Sequence, residues 1–289
     1  MTQQPDPRYD IDGDVFVSPR YLASTTGIGD PALAPLLGLG WDLQHDDLGN
    51  VYVHAPDRSV RLGYLPEGED DGLWRINAYE DPFGPPAWGA CFNDRTPTEF
   101  VHAFTTALAS AHNQGPDAYL ARPLSGTEHD PFLAVAPLLQ QGWEVEPRNW
   151  GVFAVQSPDG LAGMEFTAGD LNPETELTTR DARWQLWAGK SIDRPAWYAT
   201  ASTNTPVALL AAVTQSVADP APLPRWREDT FSYIKGTAQL TPILPPEPPA
   251  PTPLDIQRAA ASRRPAALPA PSVQRWSTTS RPALPGPRR

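Results

Sequence analysis

This chain is written twice, and that repetition limits what it can fold into more than any other feature. Gly40-Trp41 returns as Gly142-Trp143 and Pro56-Asp57 as Pro158-Asp159, both at an offset of 102 residues with no gap between them. Ala34-Pro35-Leu36-Leu37 matches Ala136-Pro137-Leu138-Leu139 at the same offset, and Arg20 falls on Arg122. Further on, Trp74 meets Trp184 at 110, while Trp88 meets Trp197 and Thr96-Pro97 meets Thr205-Pro206 at 109. The jump lies after the Pro-Asp turn. There the first copy has PEGEDDGL and the second AGDLNPETELTTRDAR, the mark of a lengthened hairpin loop.

Each copy reads as the same succession of elements. Asp30-Pro31 and Asp130-Pro131 place a capping residue before a proline at the first helical position of a short apolar helix, which Gly40 or Gly142 stops. Strand-like runs follow: WDLQH, NVYVHA, SVRLGYL, LWRINAY and AWGACF, then WEVEP, GVFAVQ, AGMEFT, RWQLWA and AWYATA. A helix closes each copy. In the first, Thr96 and Glu99 form a capping box around Pro97, and Phe100, Val101, Phe104, Ala107 and Leu108 share one face; Leu209, Leu210, Val213 and Val217 match them in the second.

The fold class this predicts is α+β. It is a tandem duplication of an antiparallel meander of four or five strands, flanked by a short N-terminal and a longer C-terminal helix, the copies packed as a pseudo-dimer within one chain about a pseudo-two-fold axis. The expected boundaries are a flexible N-terminus over 1–15, repeat 1 over 16–112, repeat 2 over 117–220, a transition segment over 221–244 and a tail over 245–289. In the transition, Trp226, Phe231, Tyr233 and Ile234 form a last element docking on the second copy.

Charge divides the chain in the same way. Residues 1–222 carry 12 basic and 30 acidic side chains, a net of −18, whereas residues 223–289 carry 10 and 4, a net of +6. Of the 36 prolines, many crowd the tail, whose composition buries too little apolar area to offset its ordering entropy. The tail is therefore expected to be disordered, with polyproline II character. One expectation for it is a solubilising tail and nothing more; the other is a brief basic helix over Leu254–Arg264 on binding, with Trp276 as an anchor between Arg275 and Arg281. Cys91 is the only cysteine, which excludes an internal disulfide and any multi-cysteine metal site. The start has neither the basic nor the apolar region of a secretory signal, and no apolar run reaches the roughly 20 residues of a membrane helix, so the cytoplasm is the expected compartment and no membrane partner is expected.

The Trp-flanked strands, the Ser157-Pro158-Asp159 turn with its counterpart Ala55-Pro56-Asp57, the Pro-Ala-Trp strand and the Thr-Pro helix together resemble the actinobacterial family known as domain of unknown function 317. The resemblance covers roughly residues 16–220 and implies two tandem copies. It brings no activity and no site residues. The first copy departs from it at the turn, with Ala55 in place of Ser157.

No catalytic constellation stands out. The histidines at 45, 54, 102, 112 and 129 lack metal spacing, and no HExxH, GxSxG or glycine-rich phosphate loop occurs. Asp10-Ile11-Asp12-Gly13-Asp14 lacks the frame of a calcium loop, Asp46-Asp47 and Asp70-Asp71 read as solvated turn carboxylates, His102 as a solvated helix residue, and Cys91 as a buried small hydrophobe. The expectation is a non-enzymatic binding or regulatory protein that acts through a protein partner and takes no cofactor and no metal. The competing expectation is a single-stranded nucleic-acid binder. In that reading Trp41, Trp143, Trp74 and Trp184 stack bases on a sheet surface, assisted by Arg263, Arg264, Arg275 and Trp276 of the tail. Against it stand the core role usual for such large aromatics and an acidic body that repels phosphates. A hydrolase built on Asp or Glu is a third class, since carboxylate sites leave weak traces in sequence.

Overall fold

The computed structural model describes residues 13–66, 73–120, 130–147, 151–230, 236–243 and 252–262. They form two units, one up to Ile243 and one from Leu244 onward. In chain order the first unit contains β1 (Asp14–Ser18), α1 (Asp30–Leu37), β2 (Asp42–His45), β3 (Val51–His54), β4 (Val60–Tyr64), β5 (Trp74–Ala78), β6 (Trp88–Phe92), α2 (Thr98–Gln114) and α3 (Pro116–Tyr119). It continues with α4 (Pro131–Gln140), β7 (Glu144–Pro147), β8 (Val152–Gln156), β9 (Ala162–Thr167), α5 (Pro173–Thr178), β10 (Trp184–Ser191), β11 (Arg194–Ala201), α6 (Val207–Ala218), β12 (Leu223–Trp226) and β13 (Gln239–Pro242).

The two meanders are five strands each, and they do not remain separate sheets. They join through β6 and β11 into a ten-stranded antiparallel sheet of order β2-β3-β4-β5-β6-β11-β10-β9-β8-β7. At the seam Phe92 faces Ala199, Cys91 faces Thr200 and Ala90 faces Ala201. Because 91 and 200 are equivalent positions of the repeat, the pairing is symmetric about that one residue pair. Helices α1, α2, α6 and α4 cover one face in a single layer. Onto it point the apolar members of each alternating strand, such as Trp74, Ile76 and Ala78 in β5.

The segment that recurs most closely, from the Pro-Ala-Trp strand to the Thr-Pro helix start, makes this seam. Thr96 Oγ1 donates to Tyr198 O at 3.0 Å and Thr205 Oγ1 to Gly89 O at 3.4 Å. Asn93 Oδ1 accepts from Tyr198 N, and Ser202 Oγ from Gly89 N. Each copy thus satisfies the strand end of the other, which explains why the motif is written twice. These bonds also replace the expected capping box. Pro97 holds the N-cap position without a side-chain bond, because Thr96 is turned to Asn93 and Tyr198. Glu99 instead grips Arg225 of β12 in a two-pronged ion pair at 2.8 and 2.7 Å.

The short helices behave more nearly as the sequence predicts. Asp130 caps α4 by accepting from Phe132 N, whereas Asp30 is already the first residue of α1, behind Gly29. Both end in the same motif: Gly40 and Gly142 take φ of +77° and +81°, Trp41 N bonds Leu36 O, and Trp143 N bonds Leu138 O. That left-handed turn is the one a glycine accepts without strain, and it delivers each tryptophan back onto its helix.

β1 runs across the boundary expected after residue 15 and is the middle strand of a second sheet, β12-β1-β13, formed with the transition segment. Residues 1–12, like Phe231, Tyr233 and Ile234, lie outside the described residues. The residues leading into each copy are exchanged between halves. Tyr21 of the first copy accepts from Trp197 Nε1 of the second through its carbonyl, at 2.8 Å, and donates to Asp159 through its hydroxyl. Tyr119, at the head of the second copy, accepts from Trp88 Nε1 of the first at 2.6 Å and donates to Ser59. The signal lay in the sequence as Tyr21-Leu22-Ala23 and Tyr119-Leu120-Ala121, and the alignment of Arg20 with Arg122 hides it. In the second unit the described residues form α7 (Pro253–Ser262), which overlaps the span Leu254–Arg264 expected to turn helical on binding; the rest of the tail lies outside the described residues.

Candidate functional site

Large aromatics remove the most apolar surface from water when fully enclosed, and the paired tryptophans do so here. Trp41, Trp143, Trp74 and Trp184 are all at most 5% exposed, and Trp88 and Trp197 are buried with them on the helix side of the sheet. None can stack a base, which corrects that reading of their role. Arg263, Arg264, Arg275 and Trp276 lie outside the described residues. Of the other single residues, Asp46 is held below the ordinary carboxylate range, first by the Asn50 amide and also by the Asn50 and Leu48 backbone. His102 bonds the Pro31 carbonyl at 2.6 Å, fastening α2 to α1. Among the described residues no three His, Cys, Asp or Glu side chains gather as a metal site. Nor is any described helix long and apolar enough to cross a membrane.

The sheet face opposite the helices is where polar chemistry collects. Cross-strand pairing lays a row of residues along it: Gly63 beside Arg75, Arg75 beside Cys91, Cys91 beside Thr200, Thr200 beside Gln185, and Gln185 beside Glu165. A second row runs Arg61, Asn77, Gly89. Cys91 is therefore partly buried on this face and is not a core residue.

Matching positions of the two copies differ sharply here. Where the first has Arg61, Arg75, Asn77 and Gly89, the second has Gly163, Gln185, Trp187 and Tyr198. In the second copy Trp187 lies on Gly163, so near that an added Cβ would sit 2.9 Å from its ring. Tyr198 is capped by the Arg180 guanidinium at 4.0 Å from the ring centre. Those side chains fill the second half of the face. The first half is left as a cleft of about 480 Å³ lined by Gln44, Tyr52, His54, Arg58, Arg61, Arg75 and Tyr79 among others.

Two features of the cleft are built into the backbone. Arg58 occupies the Pro-Asp turn at φ +60°, the left-handed conformation that Gly160 takes in the second copy at +70°. A side chain there costs about 1–2 kcal/mol, so the turn holds an arginine where glycine would sit without strain. Arg61 lies over Tyr79 at 4.4 Å and donates to Pro82 O, fixing the turn in which Phe83 stands 96% exposed. Beneath Arg58, burial alone would raise the Asp57 carboxyl. Hydrogen bonds from Ser59, with His112 nearby, hold it below its usual range instead.

The cleft continues, through shared Arg75 and Asn77, into a cavity of about 240 Å³ over the seam. Its roof is the loop inserted in the second copy. Asn172 caps α5, and Glu176 accepts from Thr203 N and Oγ1 at 2.5 and 2.6 Å, tying the loop to the end of β11. Leu177 fits over Gly89, where a Cβ would come within 2.6 Å of it. Sequence reasoning missed these residues because a lone arginine on a strand carries no motif. The available signal was the mismatch between copies at Arg61, Arg75 and Arg58.

One family model, described as SPDY, domain of unknown function 317, matches two segments, residues 54–114 and 156–223. They begin at equivalent strand ends and close after equivalent helices, so each contains the seam motif and one half of the polar face. No curated protein and no solved structure matches the chain.

Proposed function

We propose that this chain, which carries the domain of unknown function 317 in two segments, is a non-enzymatic binding protein whose duplicated halves form a pseudo-two-fold body and whose first half recognises an acidic segment of a protein partner. The observation that carries the reading is the cleft of the first copy, lined by Arg58, Arg61 and Arg75 on the sheet face opposite the helices of an otherwise acidic body. Guanidinium groups bind carboxylates in two-pronged, charge-assisted fashion. The tyrosines between them and Phe83 at the rim add apolar contact of the kind that dominates interface energetics.

The test is a pull-down from the native cell extract after nuclease treatment, comparing wild type with an Arg61→Ala/Arg75→Ala variant, alongside titration with a labelled glutamate-rich peptide. Recovery of a discrete protein that the variant loses, with peptide affinity falling at least tenfold, about 1.4 kcal/mol, supports the reading. Equal capture and equal affinity overturn it. Arginines and tyrosines on an open sheet also suit single-stranded nucleic acid, so an oligothymidylate is titrated in parallel. Tighter binding of it than of the peptide, with a steep loss in salt, replaces protein by nucleic acid as the ligand.

A further inference from the structure

We propose that the outer face of the small sheet, β12-β1-β13, is a docking site for a proline-rich segment of a protein partner, bound as a polyproline II helix with a basic residue beside its proline run. Residues along β1 and β12 alternate between two environments. Val15, Val17, Leu223 and Arg225 point inward, where the first three join the core and Arg225 meets Glu99. The residues between them point out: Asp14 and Phe16 from β1, Pro224 and Trp226 from β12. Two large aromatics thus stand on the solvent side of one small sheet, Phe16 at 37% and Trp226 at 45% exposure. Strand register sets their spacing. Phe16 lies opposite Pro224 and Trp226 opposite Asp14, which makes the two rings diagonal neighbours, about 7–8 Å apart, with Pro224 adjoining both. On the other side of Phe16, Thr241 of β13 continues the row.

A polyproline II segment is the ligand such a face fits. It presents pyrrolidine rings and carbonyls that no neighbouring N–H satisfies, and it arrives already extended, so little ordering entropy is lost on a small surface. Aromatic rings on a sheet supply the apolar contact, and the Trp226 indole supplies a donor for one of those carbonyls. Charge sets the flank. Asp14 is across from Trp226, and Glu228 and Asp229 follow it, exposed, in the 3-10 turn Arg227–Asp229. Of the nearby cations, Arg225 is turned inward and Arg227 is half-buried with a partner of its own. Carboxylates beside the aromatic pair favour an arginine or lysine at the end of the proline run, and they repel the phosphates that accompany stacked bases. The site is no part of the duplication, since the matched segments 54–114 and 156–223 leave out β1, β13 and all of β12 but Leu223. Nor does it share a residue with the cleft of the first copy.

The probe is a fluorescein-labelled synthetic peptide, RRPPLPPLP, titrated into the native full-length protein and read by fluorescence anisotropy. Wild type is expected to bind it saturably, about tenfold or more tighter than the same peptide with alanine in place of every proline, and several-fold tighter than one with glutamate in place of both arginines. Trp226→Ala and Phe16→Thr, both at outward-facing positions, should each weaken binding about tenfold or more. Asp14→Asn keeps the shape and removes the charge. It should weaken the arginine-flanked peptide several-fold and the glutamate-flanked one not at all, and it decides the matter if circular dichroism shows that an aromatic replacement fails to fold. All three variants should bind the glutamate-rich peptide as wild type does, which separates a failure here from a failure of the cleft. No saturable binding by wild type, equal affinity for the alanine peptide, or binding that folded Trp226→Ala and Phe16→Thr retain in full overturns the proposal. Tighter binding of a peptide of residues 264–271, RPAALPAP, makes a segment of this chain the occupant, and tighter binding of oligothymidylate makes it nucleic acid; either result overturns a partner's proline run as the ligand.

Discussion

Tyr21 shows how one side chain can join two halves of a chain and leave a titration signature. Burial, followed by the Asp159 carboxylate that accepts its hydroxyl, pushes its phenol well above the usual tyrosine range. The fold thus favours the protonated phenol, while the unfolded chain ionises near pH 10. Stability from this group is complete below pH 10 and falls as pH rises beyond it. Urea unfolding of Tyr21→Phe should show lower stability at neutral pH, by about 1 kcal/mol for the lost bond, and a shallower decline above pH 10 than wild type. Arg58 offers the opposite trade. Replacing it by glycine should raise stability by about 1 kcal/mol as the left-handed strain is relieved, and weaken binding of the glutamate-rich peptide. Unchanged stability in Arg58→Gly would mean the turn is not strained.

At the scale of elements, what the sequence made legible is what local chemistry decides. Ten strands, their order within each meander, the glycine stops at 40 and 142 and the closing helices all follow from turn residues and periodicity. The seam does not, because an edge strand such as AWGACF carries no mark of which other edge it will meet, and its hydrogen bonds run between residues more than a hundred apart. Thr96 and Glu99 illustrate the limit. Their spacing fits a capping box, yet each has a stronger tertiary partner, Tyr198 O for one and Arg225 for the other. The polar face was illegible for the same reason, since Gly63, Arg75 and Cys91 become neighbours only through strand register. Arg225 is 4% exposed and also donates to Ser24 O and Pro224 O, so it fastens the small sheet to α2. Glu99→Gln should therefore cost about 2 kcal/mol in urea unfolding, below the range for a wholly buried pair because a third of the Glu99 side chain meets water. Arg225→Met, which removes the buried charge with little change in volume, should cost less than Arg225→Ala.

The whole molecule depends on its two halves more than a string of domains would. Each half lacks the tyrosine that covers its own Pro-Ala-Trp strand, because that residue comes from the other, and each would expose a seam strand edge if alone. Chains cut between Gly115 and Pro116, which leaves Tyr119 with the second half, should accordingly self-associate or stay unfolded when expressed singly, and recover a one-to-one folded complex when mixed, as read by light scattering and far-ultraviolet circular dichroism. A monomeric, cooperatively folded single half would contradict the exchange of leading segments. The residues facing each other at the seam have a further consequence. In an assembly of two identical chains every substitution is made twice, so an arginine that opens a cleft on one subunit opens it on both, and any side chain on the axis must pack against its own copy. Joining the halves in one chain lifts that obligation: Cys91 meets Thr200, Arg61 is answered by Gly163, and one side of the molecule is at liberty to diverge while the other keeps the sheet intact.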